Sequence, residues 1–282
     1  MSAKTNIEWA DATWNPVTGC SKMSQGCKYC YAERDWPRMA KVPAYVGRKF
    51  TDVRWHYDRL EIPLRWQKPR LIFVNSMSDL FHESVPFDFI HRVMVSMQQA
   101  PRHIYQVLTK RPARVLEFFD YWGDEAKEGF AELMPNVWLG VSVEDQKTAS
   151  ERIPLLLSAP AAVHWISAEP LLGKVDIRSG HIPNGLDWVV VGGESGPNAR
   201  PMHPDWVRSL RDQCIAAEVP FLFKQWGEWA PVHELRCNEP GVKGKIWHNF
   251  DPDTSVCRVG KKQSGRLIDG VEYNGYPGVK HE

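Results

Sequence analysis

A chain of 282 residues, 43% of them hydrophobic, can bury a sizeable core in one large domain or two small ones. A formal net charge of +1 excludes a molecule-wide field as the basis of nucleic-acid binding and leaves a local basic patch for that purpose. No run of about eighteen apolar residues occurs and the N-terminus has no apolar h-region, so neither a membrane span nor a secretory signal is expected, and the chain is placed in the cytoplasm.

In chain order, a short strand is predicted at Ala12–Asn15, just ahead of Cys20, Cys27 and Cys30. Continuous apolar runs then predict strands at Leu71–Asn75, Ile104–Thr109, Val137–Val143, Ala162–Ala168, Trp188–Gly192 and Phe221–Gln225. Continuous rather than alternating hydrophobicity marks strands covered on both faces, as in parallel sheets. Helical patterns lie between them. Phe87–Ala100 sets Ile90, Val93, Met94 and Met97 on one face. Pro112 suits the first turn of a helix carrying Val115, Leu116, Phe118 and Phe119. Asp145–Ile153 is a candidate helix broken near Pro154. Pro204 opens another, whose stripe of Val207, Leu210, Cys214 and Ile215 assigns Cys214 to the core. Strands and helices alternating every 25 to 35 residues or so imply βα units. The fold expected is α/β, a (β/α) barrel or partial barrel of parallel strands, with an open doubly wound sheet as the alternative. Residues 1–228 are read as the three-cysteine barrel domain, and 229–282, rich in Gly, Pro and charge, as an irregular extension packed on it.

The strand ends carry the polar groups. Glu144, Glu169 and Glu194 follow three strands at intervals of 25 residues. Residues two apart in a strand share a face, so Ser142 goes with Glu144 and Ser167 with Glu169. Asn75-Ser76, Thr109-Lys110-Arg111 and Lys224-Gln225 end other strands. In a (β/α) barrel the C-terminal strand ends build the active site. Any one such residue has the plainer explanation that strand ends meet water, but the set together is read as a site.

The strongest chemical motif is Gly19-Cys20-Ser21-Lys22-Met23-Ser24-Gln25-Gly26-Cys27-Lys28-Tyr29-Cys30, a C-x6-C-x2-C pattern. A close triplet in a chain that is neither small nor visibly secreted suggests a metal site rather than a disulfide framework. Thiolates suit zinc or iron–sulfur clusters. Structural zinc normally closes with four protein ligands. Here three cysteines cluster, and no His lies between Met1 and Trp55. A [4Fe–4S] cluster on Cys20, Cys27 and Cys30, with one iron open to a cofactor or substrate, is therefore preferred. Zinc, and redox or structural thiols, are the alternatives. Gly19 and Gly26 would let backbone approach the cluster closely.

Cys27-Lys28-Tyr29-Cys30 resembles the C-x-aromatic-C half of the radical S-adenosylmethionine (SAM) motif, whose three-cysteine loop follows the first strand of a partial barrel. The first spacing here is six residues where that motif usually has three. Gly192-Gly193-Glu194 resembles the GGE element that contacts the SAM amino group, although that element usually follows the second strand, where this chain has Asn75-Ser76-Met77-Ser78-Asp79. Over nearly its whole length the sequence is similar to a phage-associated family of uncharacterised proteins with an N-terminal three-cysteine motif. The stretches that carry this include Thr13-Trp14-Asn15-Pro16-Val17-Thr18-Gly19-Cys20, Asn75-Ser76-Met77-Ser78-Asp79-Leu80-Phe81, Leu108-Thr109-Lys110-Arg111-Pro112 and Phe223-Lys224-Gln225-Trp226-Gly227. The resemblance implies a radical-SAM-like barrel that binds a [4Fe–4S] cluster and SAM and takes electrons from a reductant. It further implies Asn75, Ser142, Glu144, Glu169, Gly192, Gly193 and Glu194 as cofactor contacts. Glu144, Glu169 and Lys224 become candidate catalytic groups, and Lys110, Arg111, Lys224 and Gln225 candidate contacts to a nucleic-acid or nucleotide substrate, with Arg200 adding charge nearby.

The competing class is a nuclease-like or non-catalytic nucleic-acid protein with structural zinc or a cluster, in which Glu144, Glu169 and Glu194 surround a divalent ion. Other features have plainer readings. His82, His103 and His164 suit hydrogen-bonded structural roles. Asp79 and Glu83 suit a helix start. Trp226 and Trp229 suit core packing around a turn at Gly227. Cys237 and Cys257 with His233 and His248 match no tight zinc spacing.

Overall fold

The computed structural model describes residues 5, 7–39, 41–43, 45–178, 185–235 and 240–278. In chain order its elements are β1 (Ala12–Trp14), β2 (Val17–Thr18), α1 (Tyr31–Met39), β3 (Arg54–Trp55), α2 (Ile62–Arg65), β4 (Leu71–Val74), α3 (Phe87–Gln98) and β5 (Ile104–Thr109). They continue with α4 (Pro112–Trp122), α5 (Asp124–Leu133), β6 (Val137–Ser142), α6 (Gln146–Leu157), β7 (Val163–Ala168), β8 (Trp188–Gly192), α7 (Pro204–Ala216) and β9 (Phe221–Gln225). Last come β10 (Trp229–Pro231), β11 (Trp247–Asn249), β12 (Ser255–Arg258) and α8 (Lys261–Ser264).

Seven strands form one sheet in the order β1-β4-β5-β6-β7-β8-β9. Sheet order rises with chain order and never reverses. The switch point of a doubly wound sheet is therefore missing, and the order is that of a (β/α) partial barrel. The α/β class expected from the apolar runs is the one the chain adopts, and each of the seven expected strands is present. No helix among the described residues is long and apolar enough to cross a membrane.

The chain divides into two compact units, Met1–Val141 with Arg152–Trp165, and Ser142–Glu151 with Ile166–Glu282. In the first, β1 pairs in parallel with β4 (Trp14 opposite Val74), β4 with β5, and β5 with β6. The predicted face of α3 is fully buried at Ile90, Val93, Met94 and Met97. Pro112 opens α4, which buries Val115, Phe118 and Phe119. Gly140 in β6 is required by packing, because a Cβ there would lie 2.4 Å from the indole of Trp165. Elements beyond those expected include the helices α1 and α2, the antiparallel pair β2–β3, with Thr18 opposite Arg54, and α5, which buries only Phe130.

In the second unit β8 and β9 run parallel. Pro204 stands in the first turn of α7, capped by His203, and Cys214 is fully buried as its stripe required. Residues from Trp229 onward include a second, antiparallel sheet of order β10-β12-β11. Their last described stretch lies along β9: Phe223 N donates to Tyr273 O at 3.0 Å and Gly275 N to Phe221 O at 2.9 Å.

One helix differs from expectation. α6 does not break near Pro154 but continues to Leu157. An internal proline removes one ladder bond and costs about 3 kcal/mol. Ile153 and Leu156 on either side are buried, at about 1.5–3 kcal/mol each, and the ladder resumes at Ser158 N to Pro154 O. Burial outweighs the break.

Candidate functional site

The three-cysteine loop leaves β2 at Gly19. That glycine has φ +90° and lies against the carbonyls of Phe50 and Asp52, where a Cβ would come within 2.9 Å of both oxygens. The backbone N–H of Cys20 then bonds to Phe50 O at 2.9 Å. A short turn over Gln25–Cys27 presents Cys27, and Cys30 directly precedes α1. The Cys30 sulfur accepts from the backbone N–H groups of Ala32 and Glu33, an arrangement that favours thiolate at a helix start. All three cysteines are free and partly buried. Burial, then the nearby Asp79 carboxylate, pushes the Cys20 thiol up to about 12 against the opposing pull of Arg111. Burial also raises Cys30, opposed by the two amides and by Lys110. Lys22 lies within electrostatic reach of Cys27 and Cys30. Three cations, Lys22, Lys110 and Arg111, thus act on the three sulfurs. A metal centre binding there as thiolate would displace the thiol protons.

Arg111 is the hub behind the loop. Its Nε donates to Glu83 Oε1 at 2.9 Å, and Nη1 to Asp79 Oδ2 at 3.0 Å and to the Cys20 sulfur at 3.9 Å. Nη2 donates to Ser21 O at 3.2 Å and Ser21 Oγ at 3.0 Å. All five guanidinium N–H groups thus have partners inside the protein. Asp79 is held in turn, accepting from Thr109 Oγ1 at 2.8 Å, Phe81 N at 3.0 Å and Lys110 N at 3.1 Å. His82 Nδ1 accepts from Ser84 N at 3.1 Å, which leaves the ring proton on Nε2 to donate to Ser21 Oγ at 2.8 Å. Ser21 directly follows Cys20, so the clamp secures the start of the cysteine loop.

These contacts change several expected roles. Arg111, expected at substrate, is buried and holds the cysteine loop. Lys110, expected with it, lies where its charge acts on Cys30. Asp79 and Glu83, read as helix-start groups, belong to the clamp, and His82 has the hydrogen-bonded structural role expected of it. Asn75 ends β4 with φ +62° and is buried. Its Oδ1 accepts from Val17 N at 3.2 Å, while Nδ2 is buried without a hydrogen-bond partner, a donor still to be satisfied.

The thiol spacing separates the candidate metals. Around one tetrahedral zinc with bonds of about 2.3 Å, sulfurs lie about 3.8 Å apart. Among the described residues, the three cysteine sulfurs do not all come within 4.8 Å of one another; only His233, Glu234 and Asp269 form such a set. The cysteine spacing is not the one a closed tetrahedral zinc site needs, whereas a cluster, in which each sulfur binds a different iron, does not call for so close a set. The His233 set is occupied by cations: Asp269 pairs with Arg208 at 2.8 Å and Arg211 at 2.7 Å, and His233 bonds to Arg208 at 2.7 Å. Of the tail residues that matched no tight zinc spacing, Cys257 is buried within β12, and Cys237 lies outside the described residues.

In the second unit the strand-end glutamates differ from one another. Glu169 accepts both its bonds from Lys224 Nζ, at 2.7 and 2.9 Å, and the pair is partly exposed. Gly192 makes room for it, since a Cβ there would lie 3.3 Å from the Glu169 carboxyl. Glu194 is buried and closed by Arg200, whose backbone N, Nε and Nη2 all donate to it at 2.7–2.9 Å. Gly193 is required by backbone contact, for its Cβ would meet Trp226 O at 2.0 Å. Glu144 and Ser142 are buried. Gln225 Nε2 donates to Gly193 O at 3.0 Å, and its Oε1 is buried without a partner.

The family model described as protein of unknown function (DUF5131) matches residues 4–277. No curated protein matches the chain. Among solved structures, a cysteine-to-serine mutant of spore photoproduct lyase is similar at 11% identity and TM-score 0.45, over 93% of this chain and 72% of that one. A cysteine-to-alanine mutant of the same enzyme with dinucleoside spore photoproduct gives 11% identity and TM-score 0.37, over 88% and 68%.

Proposed function

We propose that this chain, which belongs to the family described as protein of unknown function (DUF5131), is an iron–sulfur enzyme of the radical SAM type acting on a nucleic-acid or nucleotide substrate, in a phage or prophage setting. The observation that carries the reading is the trio of free, partly buried thiols, set wider than one tetrahedral ion requires and facing Lys22, Lys110 and Arg111. Cys20, Cys27 and Cys30 hold the [4Fe–4S] cluster. When bound and reduced by an external donor, that cluster supplies the electron that cleaves the carbon–sulfur bond of SAM. The chain's own groups hold and orient. Arg111 and His82 fix Ser21 and so the first cysteine, and the α1 amides orient the Cys30 sulfur. The unpartnered Nδ2 of Asn75 suits a cofactor acceptor. Glu169 with Lys224, exposed enough to exchange partners, is the acid–base pair assigned to reacting groups. Ser142, Glu144, Gly192 and Gln225 stay assigned to cofactor or substrate. Glu194, closed by Arg200, is assigned to holding its own loop.

The test is anaerobic purification and reconstitution, with iron, sulfide and zinc measured, followed by dithionite and SAM. Iron and sulfide in the ratio of a [4Fe–4S] cluster, with 5′-deoxyadenosine formed, is the expected result. Stoichiometric zinc without iron would overturn the proposal in favour of a hydrolytic or binding protein.

A further inference from the structure

A second group of cations lies away from the cysteine clamp, on the β2–β3 pair of the first unit. Arg54, Trp55, His56 and Arg59 line a cavity of about 550 Å³ with Val42 and a single carboxylate, Asp58. Arg54 is exposed and makes no side-chain hydrogen bond or ion pair among the described residues. Of the charged groups acting on His56, Arg59, Arg48 and Arg54 disfavour a proton on the ring, and Asp58 opposes them. Burial and this field together hold His56 down at about 4, so the ring is neutral at pH 7 and bonds to Thr18 Oγ1 at 2.8 Å.

Arg59 is buried and anchored, with Nη1 donating to Asn15 O at 2.8 Å. Arg48 donates to Thr18 Oγ1 at 2.9 Å and Thr18 O at 3.3 Å. The Arg59 acceptor is a neutral carbonyl, so it fixes that guanidinium without cancelling its charge. Trp55 is partly exposed and stacks on no ring among the described residues, whereas Trp9, Trp14, Trp36, Trp66, Trp122 and Trp188 each pack against one. A partly exposed indole beside one exposed and one prefixed arginine, with three basic groups to a single carboxylate in the surroundings, is the combination that grips unpaired bases and their phosphates. The cavity is also tied to the cysteine loop: Arg54 is the register partner of Thr18, two residues before Cys20.

We propose that this cavity binds a single-stranded segment of nucleic acid, with Trp55 stacking on a base and Arg54 and Arg59 holding the adjoining phosphates. The strand must be unpaired there, because a stacked, paired base offers the indole no face. The inference deepens the proposed nucleic-acid reading by naming where and in what form that substrate is held.

Fluorescence anisotropy of a labelled single-stranded oligodeoxynucleotide, and of the same sequence as RNA, tests it on the full chain across a salt series. Wild type is compared with Arg54→Ala, Trp55→Ala, Trp55→Phe and, as a control, Arg65→Ala, an exposed arginine on α2 paired with Glu61. Arg54→Ala should weaken binding and reduce the slope of log affinity against log salt by about 0.7, the increment for neutralising one phosphate of a single strand. Trp55→Ala should weaken binding at least about fivefold, and Trp55→Phe should restore most of it. Arg65→Ala should change neither. Arg54 is exposed, so a melting curve matching wild type keeps its result interpretable. Wild-type affinity and slope in both Arg54→Ala and Trp55→Ala would overturn the inference while leaving the nucleic-acid reading intact. Displacement of the strand by equimolar mononucleotide would overturn the strand in favour of a free nucleotide. Failure of wild type to bind either strand would remove the substrate reading too, and iron, sulfide and 5′-deoxyadenosine on the same preparation would show whether the cluster reading survives.

Discussion

Arg111 joins stability to function more tightly than any other side chain described. It is 4% exposed and its main partner Asp79 is 5% exposed, so each is charged where water cannot help. An exposed pair such as Arg65–Glu61 contributes about 0–1 kcal/mol. Removing one member of a buried pair leaves the other uncompensated, at about 3–5 kcal/mol. Arg111→Met should therefore lower the stability of the metal-free chain by about that amount in urea unfolding. Arg111→Lys should recover part of it, because an ammonium cannot reach Asp79, Glu83 and Ser21 together. With the cluster loaded, a guanidinium donating to the Cys20 sulfur favours the more negative, reduced state. The midpoint potential of Arg111→Lys, followed by electron paramagnetic resonance, should thus fall below wild type. Unchanged stability together with an unchanged potential would reduce Arg111 to a bystander.

At the scale of elements, the last described residues complete the sheet. β9 ends the strand order, and an uncovered edge strand is a template for aggregation. The 273–275 stretch covers that edge and adds Trp188 Nε1 to Gly275 O at 2.7 Å, while Trp226 Nε1 bonds to Leu267 O at 2.7 Å. A chain truncated after Gly265 should lose both indole bonds and the edge cover. Size-exclusion chromatography should show association and thermal melting a lower midpoint; a monodisperse product with the wild-type midpoint would count against a capping role. The same local-versus-distant distinction decides what is legible in the sequence. The strands of the main sheet are legible because most are short, dominantly apolar runs, and α3, α4 and α7 because each carries an apolar stripe. α5 escapes because its one buried residue, Phe130, makes no stripe. The cysteine triplet is legible because its ligands are close in sequence. The clamp is not, because Arg111 lies 90 residues from Ser21 and 32 from Asp79. Parallel pairing of β4 with β5 brings Asp79 and Arg111, which follow those two strands, together.

Across the whole molecule, burial of titratable groups sets the response to acid. His56, His103 and His233 are all pushed below the ordinary histidine value of 6.5, with burial the largest cause in each and neighbouring arginines adding to it; His56 reaches about 4. Between 6.5 and these lowered values the unfolded chain binds more protons than the folded one, so stability falls as the pH falls through that window. Asp269 works in the same direction lower down. Its bonds to Arg208 and Arg211 hold it near 2 against an ordinary 3.8, so the stability it contributes is present above 3.8 and lost as the pH falls toward 2. The two windows adjoin, and the melting temperature should therefore decline continuously from about pH 7 through about pH 4 and below. His56→Asn should flatten the upper part of that decline, because Asn carries no proton to gain, and Asp269→Asn should flatten only the lower part. Differential scanning fluorimetry over this range separates the two contributions. A midpoint that is level or rising on acidification from about pH 6.5 to about pH 4.5 would contradict the lowered proton affinity of these histidines in the folded chain.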